Sequence, residues 1–393
     1  MDYLHRGVDS LDLSYPVLLP ESTEKLLAEA KAMCGSKKGD KSSLFLNGQW
    51  FWVRKTGASG GYAYSVWTGE DGENIFLKKA NTKDPWGVRV SHMARPLSNR
   101  GMAKAVAASE NRLRKMGLDI KPGSAVVGRV DVCVDLLTEW IDISNQSYVS
   151  RMKHREWADG SAEQNGRDGV INSIRFGDIG RCQVAVYDKL LEISHSNKTY
   201  MKLLWNERRT QLGYHPIAFD QIGSKRVLRT ECRWARDHLR KSYGVRTIDH
   251  LVEKLPIMVA DVLDDVRMIV PTRDQNRSRW PTHPFWQRVR DELLEELINL
   301  EPLGLEDEMA EMSLAEKLNR MMKQAFGYAV NIAALRGATE ESFERALSDQ
   351  FRAFREQARR PENALAARLA DIRARYAIPE SGESGRLKDV AFR

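Results

Sequence analysis

Arg129-Val-Asp131-Val-Cys133-Val-Asp135, Gln183-Val-Ala185-Val-Tyr187-Asp188-Lys189 and Arg229-Thr-Glu231-Cys-Arg233-Trp decide the fold of this chain. Side chains alternate between the two faces of a strand. In the first stretch Val130, Val132 and Val134 point one way and Asp131, Cys133 and Asp135 the other. In the second, Gln183, Tyr187 and Lys189 share a face, and in the third Arg229, Glu231 and Arg233 do. As neighbours in one sheet, the three give a polar face holding Asp131, Asp135, Glu231, Tyr187, Lys189, Arg229 and Arg233. A half-buried antiparallel sheet with one wet face gives the same alternation. Two details favour a site: acidic residues are depleted in strands yet recur here, and Glu231 stands between Arg229 and Arg233, where the cations hold a carboxylate ionised.

The flanking sequence extends the sheet. Val8–Ser14 alternates as a short strand, and a helix follows over 21–34. Ser43–Leu46, the Asn47-Gly48 pair and Gln49–Lys55 form a hairpin signal. Gly61–Trp67, Asn74–Lys79 and Val88–Arg95 read as further strands, and Met102–Met116 as a helix. A strand over 124–137 follows, then a helix near 146–157, a Gly- and Asp-rich loop over 159–169, and strands at 170–176, 181–188 and 226–235. The order in both halves suggests an α+β fold with a mostly antiparallel sheet, flanking helices and a pseudo-duplicated plan. Beyond residue 245 the pattern turns helical, over 247–269, 283–299, 307–325, 327–337, 340–358 and 362–376. The predicted organisation is an α+β catalytic domain at 1–245, a helical domain at 246–377 and a disordered tail at 378–393.

Lys and Arg number 61 against 54 acids, a net charge of +7. The excess is concentrated: Lys225–Arg246 holds eight basic residues against Glu231 and Asp237. Arg273, Arg277, Arg279, Arg288 and Arg290 are interleaved with Trp280, Phe285 and Trp286. Cations beside flat rings suit backbone phosphates and stacked bases, which makes Arg236, Arg240, Arg273, Arg277, Arg279, Trp280 and Arg288 candidate DNA contacts. Snorkelling arginines over a buried tryptophan would look alike. The four cysteines lack zinc or redox spacing, and no signal peptide or apolar span of membrane length is written. A cytoplasmic location is expected. No GxxxxGK[ST] or GxSxG occurs, and the eight histidines form no His-x-His pair.

A carboxylate site remains. Hard cations such as Mg2+ and Mn2+ take oxygen ligands, and Asp131, Asp135 and Glu231 are the expected set. Tyr187 would be a nucleophile toward a phosphodiester, with Lys189, Arg229 and Arg233 supplying the positive potential a phenolate needs. Tyr148, Tyr200, Tyr214 and Tyr243 are rival tyrosines, and Asp188 fits a turn acid ending its strand.

Four segments carry a resemblance. Gly180–Glu192 contains Val-Tyr187-Asp-Lys189-Leu-Leu-Glu192 and resembles the R-I-Y-D/N-K-x-x-E signature of the Rep_trans-type rolling-circle replication initiators, a family that includes relaxases of some integrative conjugative elements. Gly128-Arg-Val-Asp131-Val-Cys-Val-Asp135 resembles the family's T-R-I-D-x-x-x-D strand, and Leu228-Arg229-Thr-Glu231-Cys-Arg233 its R-V-E-x-x-x-R strand. Gly7-Val-Asp9-Ser-Leu-Asp12 is similar to its V-D-W-L strand, with Ser10 where Trp is usual. Order and spacing agree over roughly residues 7–245. The resemblance implies nicking and rejoining of one strand at an origin, Tyr187 as nucleophile, acidic metal ligands, and double- and single-stranded origin DNA as partners. A host helicase and a homodimer are left open. A relaxase and a non-catalytic DNA-binding replication protein are the alternatives.

Overall fold

The computed structural model describes residues 1–35, 40–81, 83–152, 164–167, 170–196, 198–300, 302–361 and 364–369. The tail expected at 378–393 and most of the loop at 159–169 lie outside the described residues. The chain divides into two compact units, Met1–Leu305 and a second that begins at Glu306. The boundary read at 245/246 thus falls inside the first unit, because the helices that follow it pack their apolar faces onto the sheet.

In that unit the strands are β1 Asp2–Tyr15, β2 Lys41–Leu46, β3 Gln49–Arg54, β4 Tyr64–Trp67, β5 Glu73–Leu77, β6 Val88–Met93, β7 Val126–Thr138, β8 Tyr148–Ser150, β9 Gln164–Arg167, β10 Val170–Gly177, β11 Cys182–Asp188, β12 Arg226–Ala235 and β13 Val266–Met268. Eleven of them form one antiparallel sheet in the order β2-β3-β4-β5-β6-β1-β7-β12-β11-β10-β9, while β8 and β13 pair separately. The order is two-fold about the β1/β7 pair. Each half starts with a central strand, runs out to the edge, and returns through a meander whose last strand, β6 or β12, pairs with the first. This is the duplicated plan expected from the sequence.

The helices among the described residues of the unit are α1 Glu21–Ala32, α2 Ala94–Arg100, α3 Met102–Lys115, α4 Lys189–Ser196, α5 Tyr200–Gln211, α6 Arg236–Tyr243, α7 Ile248–Asp265 and α8 Pro284–Leu294. The valines behave as their alternation requires. Val130, Val132 and Val134 are buried with Leu11, Leu13, Leu251, Leu255, Phe285 and Trp286 in one core, so α7 and α8 close the apolar face. Asn47 and Gly48 both take positive φ, 49° and 76°, the left-handed pair that a two-residue hairpin matched to strand twist demands.

Two expectations fail locally. Over its described part the helix placed near 146–157 gives way to a short 3-10 turn at Asn145–Ser147 and to β8, and residues 153–157 lie outside the described residues. Tyr148 anchors that segment in the core, its ring 5.8 Å from Trp286. The second unit holds α9 Glu306–Leu335 and α10 Phe343–Ala358. The break read near residue 326 is absent, since α9 runs through Gly327, whose cost in a helix interior is only about 1 kcal/mol.

Candidate functional site

Register places the polar residues in rows. Tyr187 lies opposite Arg229, and Arg229 opposite Asp135. Ala185 lies opposite Glu231 and Glu231 opposite Cys133, while Gln183 lies opposite Arg233 and Arg233 opposite Asp131. On the far side of β7, β1 sets His5 against Asp135 and Gly7 against Cys133. Six of the seven expected residues therefore share one sheet face, while Lys189 opens helix α4 just after Tyr187, and they do not play equal parts.

Asp135 is fully buried and saturated. Arg229 donates from Nε to Oδ1 at 2.6 Å and from Nη2 to Oδ2 at 2.7 Å, and Trp205 Nε1 on α5 adds a third bond at 2.8 Å. Arg229, itself 1% exposed, also donates to Asp9. Burial alone would raise these acids, but the Arg229 charge prevails. It holds Asp135 below the ordinary carboxylate range and, with Lys189, holds Asp9 at about 2. His5 beside them is driven down to about 3 by burial and is neutral. This knot fixes β1, β7, β12 and α5 together.

Glu231 and Asp131 each face one arginine. Arg233 donates to Glu231 Oε1 at 2.8 Å and to Oε2 at 3.1 Å, and from Nη1 to Gln183 at 2.8 Å. Arg129 holds Asp131 through bonds of 2.7–3.1 Å. Burial lifts Asp131 to about 7 against the pull of Arg129, and the charges of Glu231 and Asp9 add to the lift. The Tyr187 hydroxyl donates to Glu231 Oε2 at 3.1 Å. Its pKa is pushed well above the usual phenol value by burial, against the opposing Arg229 charge. Lys189 Nζ sits 5.6 Å from the Tyr187 ring centroid and bonds Glu192 at 2.6 Å. Asp188 takes the role expected of a strand-ending acid. It accepts from Leu191 N at the start of α4 and from Arg226 Nε, both at 3.0 Å.

Tyr187, Glu231, Arg233, Lys189 and Asp9 line an open cavity of about 670 Å3, joined by Asn172, Arg175, Glu192, His195 and Lys198. Arg229 lies beneath this surface and does not line it.

The metal set expected from the sequence does not fit. Asp131 and Asp135 are four residues apart on one strand, about 13 Å of rise, too far to share one ion with Glu231. Both oxygens of Asp135 are already bonded, and the side chain is fully buried. Among the described residues no group of three or more His, Cys, Asp or Glu is arranged to hold a metal ion.

The candidate DNA contacts separate into surface and scaffold. Arg236, Arg240, Arg273, Arg279 and Arg288 are exposed. Arg277 is committed to the fold, since Nη2 donates to the carbonyls of Gln146 at 2.7 Å and Tyr148 at 2.9 Å. Trp280 Nε1 is tied to Asp274 O at 2.6 Å. Trp286 is fully buried, a core residue rather than a stacking surface.

No protein-family model matches the chain, and no curated protein does. Among solved structures it is similar to a rolling-circle replication initiator protein from Geobacillus stearothermophilus. Identity is 16%, the match covers 75% of this chain and 97% of that one, and the TM-score is 0.36. Among the described residues, no helix is long and apolar enough to cross a membrane.

Sequence reasoning missed Asp9 as a site residue, and missed Glu192 on α4, Trp205 on α5 and Lys198 between them. Asp9 had a signal in the Gly7-Val-Asp9 segment. Glu192 had one as the last residue of the Tyr187-Asp-Lys189-Leu-Leu-Glu192 run, and Trp205 and Lys198 had none beyond their place after the Tyr187 strand.

Proposed function

We propose that this chain is a rolling-circle replication initiator that nicks and rejoins one DNA strand at an origin, in the cytoplasm, through a 5′-phosphotyrosine on Tyr187. The observation that carries this reading is the Tyr187 hydroxyl bonded to Glu231 at the wall of a cavity lined by Arg233, Lys189 and Lys198. A buried phenol holds its proton tightly, so a nucleophilic tyrosine here needs a base within reach, and Glu231 is in reach.

In the forward step Tyr187 Oη forms a bond to phosphorus while its proton passes to Glu231. The P–O3′ bond breaks, and the leaving 3′ oxygen takes a proton from water. Arg233 and Lys189 face the phosphate and offset its charge. Arg229 lies across the strand pair from Tyr187 and lowers the cost of the phenolate without touching substrate. It is a positioning residue, as is Asp135, which fixes it. The phosphotyrosine conserves the bond, and attack by a free 3′ hydroxyl reverses the step. Mg2+ or Mn2+ dependence belongs to the proposal as a matter for metal titration, and no step above runs through a metal.

Purified protein and a supercoiled plasmid carrying the cognate origin provide the test. Nicked circles and an oligonucleotide adduct on Tyr187, found by mass spectrometry, support the reading, and Tyr187→Phe is expected to abolish both. An adduct on Tyr200 or Tyr214 overturns the assignment. Tight origin binding with no nicking under any divalent cation reduces the chain to a DNA-binding protein.

A further inference from the structure

The face that carries Tyr187 does not stop at the central strands. Arg129 lies opposite Asp12, Asp12 opposite Ser91, Ser91 opposite Asn74, Asn74 opposite Trp67, Trp67 opposite Trp52 and Trp52 opposite Ser43. Residues paired across strands share a face. The polar face therefore continues through β1, β6, β5, β4 and β3 to β2. Helices α1 and α3 lie on the reverse side, where Leu27 and Ala30 join Phe51, Val53 and Val66 in the core and His92 meets Ser109.

What this face presents is aromatic and cationic. Phe45 and Trp50, 56% and 36% exposed, meet across the β2–β3 hairpin with centroids 4.9 Å apart and ring planes inclined by 50°. Lys41 Nζ lies 3.8 Å from the Trp67 ring centroid. The Arg89 guanidinium lies 4.4 Å from the Phe76 ring and 5.0 Å from the Tyr62 ring, and its Nε is buried without a hydrogen-bond partner. Arg54 bonds the neutral Asn74. Along the paired rows the acids are Asp12 and Asp131, the latter already held by Arg129.

We propose that the β2–β6 part of this face binds single-stranded DNA and receives the strand held at Tyr187. The inference rests on the proposed nicking site for where that strand comes from. Flat rings with cations over them match unpaired bases and the phosphates between them, and every base offers a π face. A duplex keeps its bases stacked inside and cannot use such rings. Five strand spacings of about 4.8 Å separate β3 from β7, a track of about 24 Å. At a stacked rise of about 3.4 Å per nucleotide this accommodates about seven nucleotides.

Two measurements on the full chain decide it. A single-stranded oligonucleotide carrying 5-iodouracil at successive positions is crosslinked to the wild-type protein, and the modified residues are mapped. Adducts on Phe45, Trp50 or Trp67 are expected. Fluorescence anisotropy then compares wild type with Phe45→Ala and Trp50→Ala on a labelled single strand. About tenfold weaker binding is expected for each ring removed, with thermal unfolding of each variant recorded to show that it is folded. Adducts confined to other surfaces, or folded variants with unchanged single-strand affinity, overturn the proposal. A change in oligomeric state with affinity intact also overturns it and makes the face a contact between copies. None of these results depends on cleavage. A missing Tyr187 adduct removes the nicking site and leaves the track, while unchanged affinity removes the track and leaves the nicking site.

Discussion

Replacing Asp135 by Asn separates a structural carboxylate from a catalytic one. In the native protein this side chain accepts three hydrogen bonds, two from Arg229 and one from Trp205, with no exposure to water. An asparagine of the same shape keeps one carbonyl oxygen and sets an NH2 against either the guanidinium or the indole. Among the described residues Arg229 then retains Asp9 as its bonded anion, and Asp9 is partly exposed. Removing one partner of a buried ion pair costs about 3–5 kcal/mol, and the surviving Asp9 contact puts the expected loss at about 3 kcal/mol. With a urea m-value of about 3 kcal/mol/M, the upper part of the small-protein range, the unfolding midpoint falls by about 1 M. The pH dependence has a definite sign. Arg229 depresses the folded-state pKa of Asp135, so its contribution is complete above the unfolded value of about 3.9 and drains away as pH falls below it. The gap between wild type and Asp135→Asn should be full at pH 7 and narrow below pH 4. Urea unfolding at both pH values measures it. Equal midpoints at pH 7, with a loss confined to a metal response, would refute the structural role and return Asp135 to the metal.

Three further outcomes follow from the same geometry. Glu231→Gln keeps the hydrogen-bonding shape but removes the base, so single-turnover nicking should fall by about 10²–10⁴-fold while single-strand affinity changes little. Unaltered nicking would take the proton elsewhere. Asp131 is an acid whose folded pKa is raised to about 7 by burial, so it binds a proton in the folded state that the unfolded chain releases near 3.9, and stability should decline between those values. Asp131→Asn should flatten that decline in urea titrations run across pH 4–8. Arg277→Ala should cost about 1 kcal/mol through its part-buried bond to the Tyr148 carbonyl, whereas Arg279→Ala, at a side chain 74% exposed, should leave stability alone and reduce the salt slope of duplex binding by about one. Thermal melts beside anisotropy across a salt series separate the two.

Much of the sheet was legible because alternation and turn chemistry are local. Asn47-Gly48 marked its hairpin, and the valines of β7 and β11 marked the apolar face. Register was not legible, and register is what puts Tyr187 opposite Arg229 and Glu231 within reach of the hydroxyl. The metal triad failed on a distance that the sequence already contained, since four residues along a strand separate Asp131 from Asp135 too widely. Helix α5 escaped for a different reason. Its buried side chains are Met201, Leu204, Trp205, Arg208 and Arg209, and two buried arginines erase the apolar stripe by which helices are recognised. Arg209 is buried because its donors reach the carbonyls of Tyr3 and His215, partners that only the folded chain supplies.

Strand β1 shows how one irregularity makes the core and the site compatible. Gly7 pairs with Cys133 and Val8 with Val132, then the register shifts and Ser10 pairs with Asp131. Asp9 is the extra residue. Before the shift the odd positions His5 and Gly7 face the site; after it the even positions Ser10 and Asp12 do, which turns Leu11, Leu13 and Tyr15 into the core. A regular strand could not serve both ends, because a one-residue change of phase moves every later side chain to the opposite face. The extra residue also brings Asp9 to the guanidinium of Arg229, two strands away, where an unbulged residue 9 would instead lie opposite Asp131. The bulge thus supplies a second anion to the arginine under Tyr187 and keeps three apolar residues buried downstream. That places it among the β-bulges that re-aim a side chain at a site.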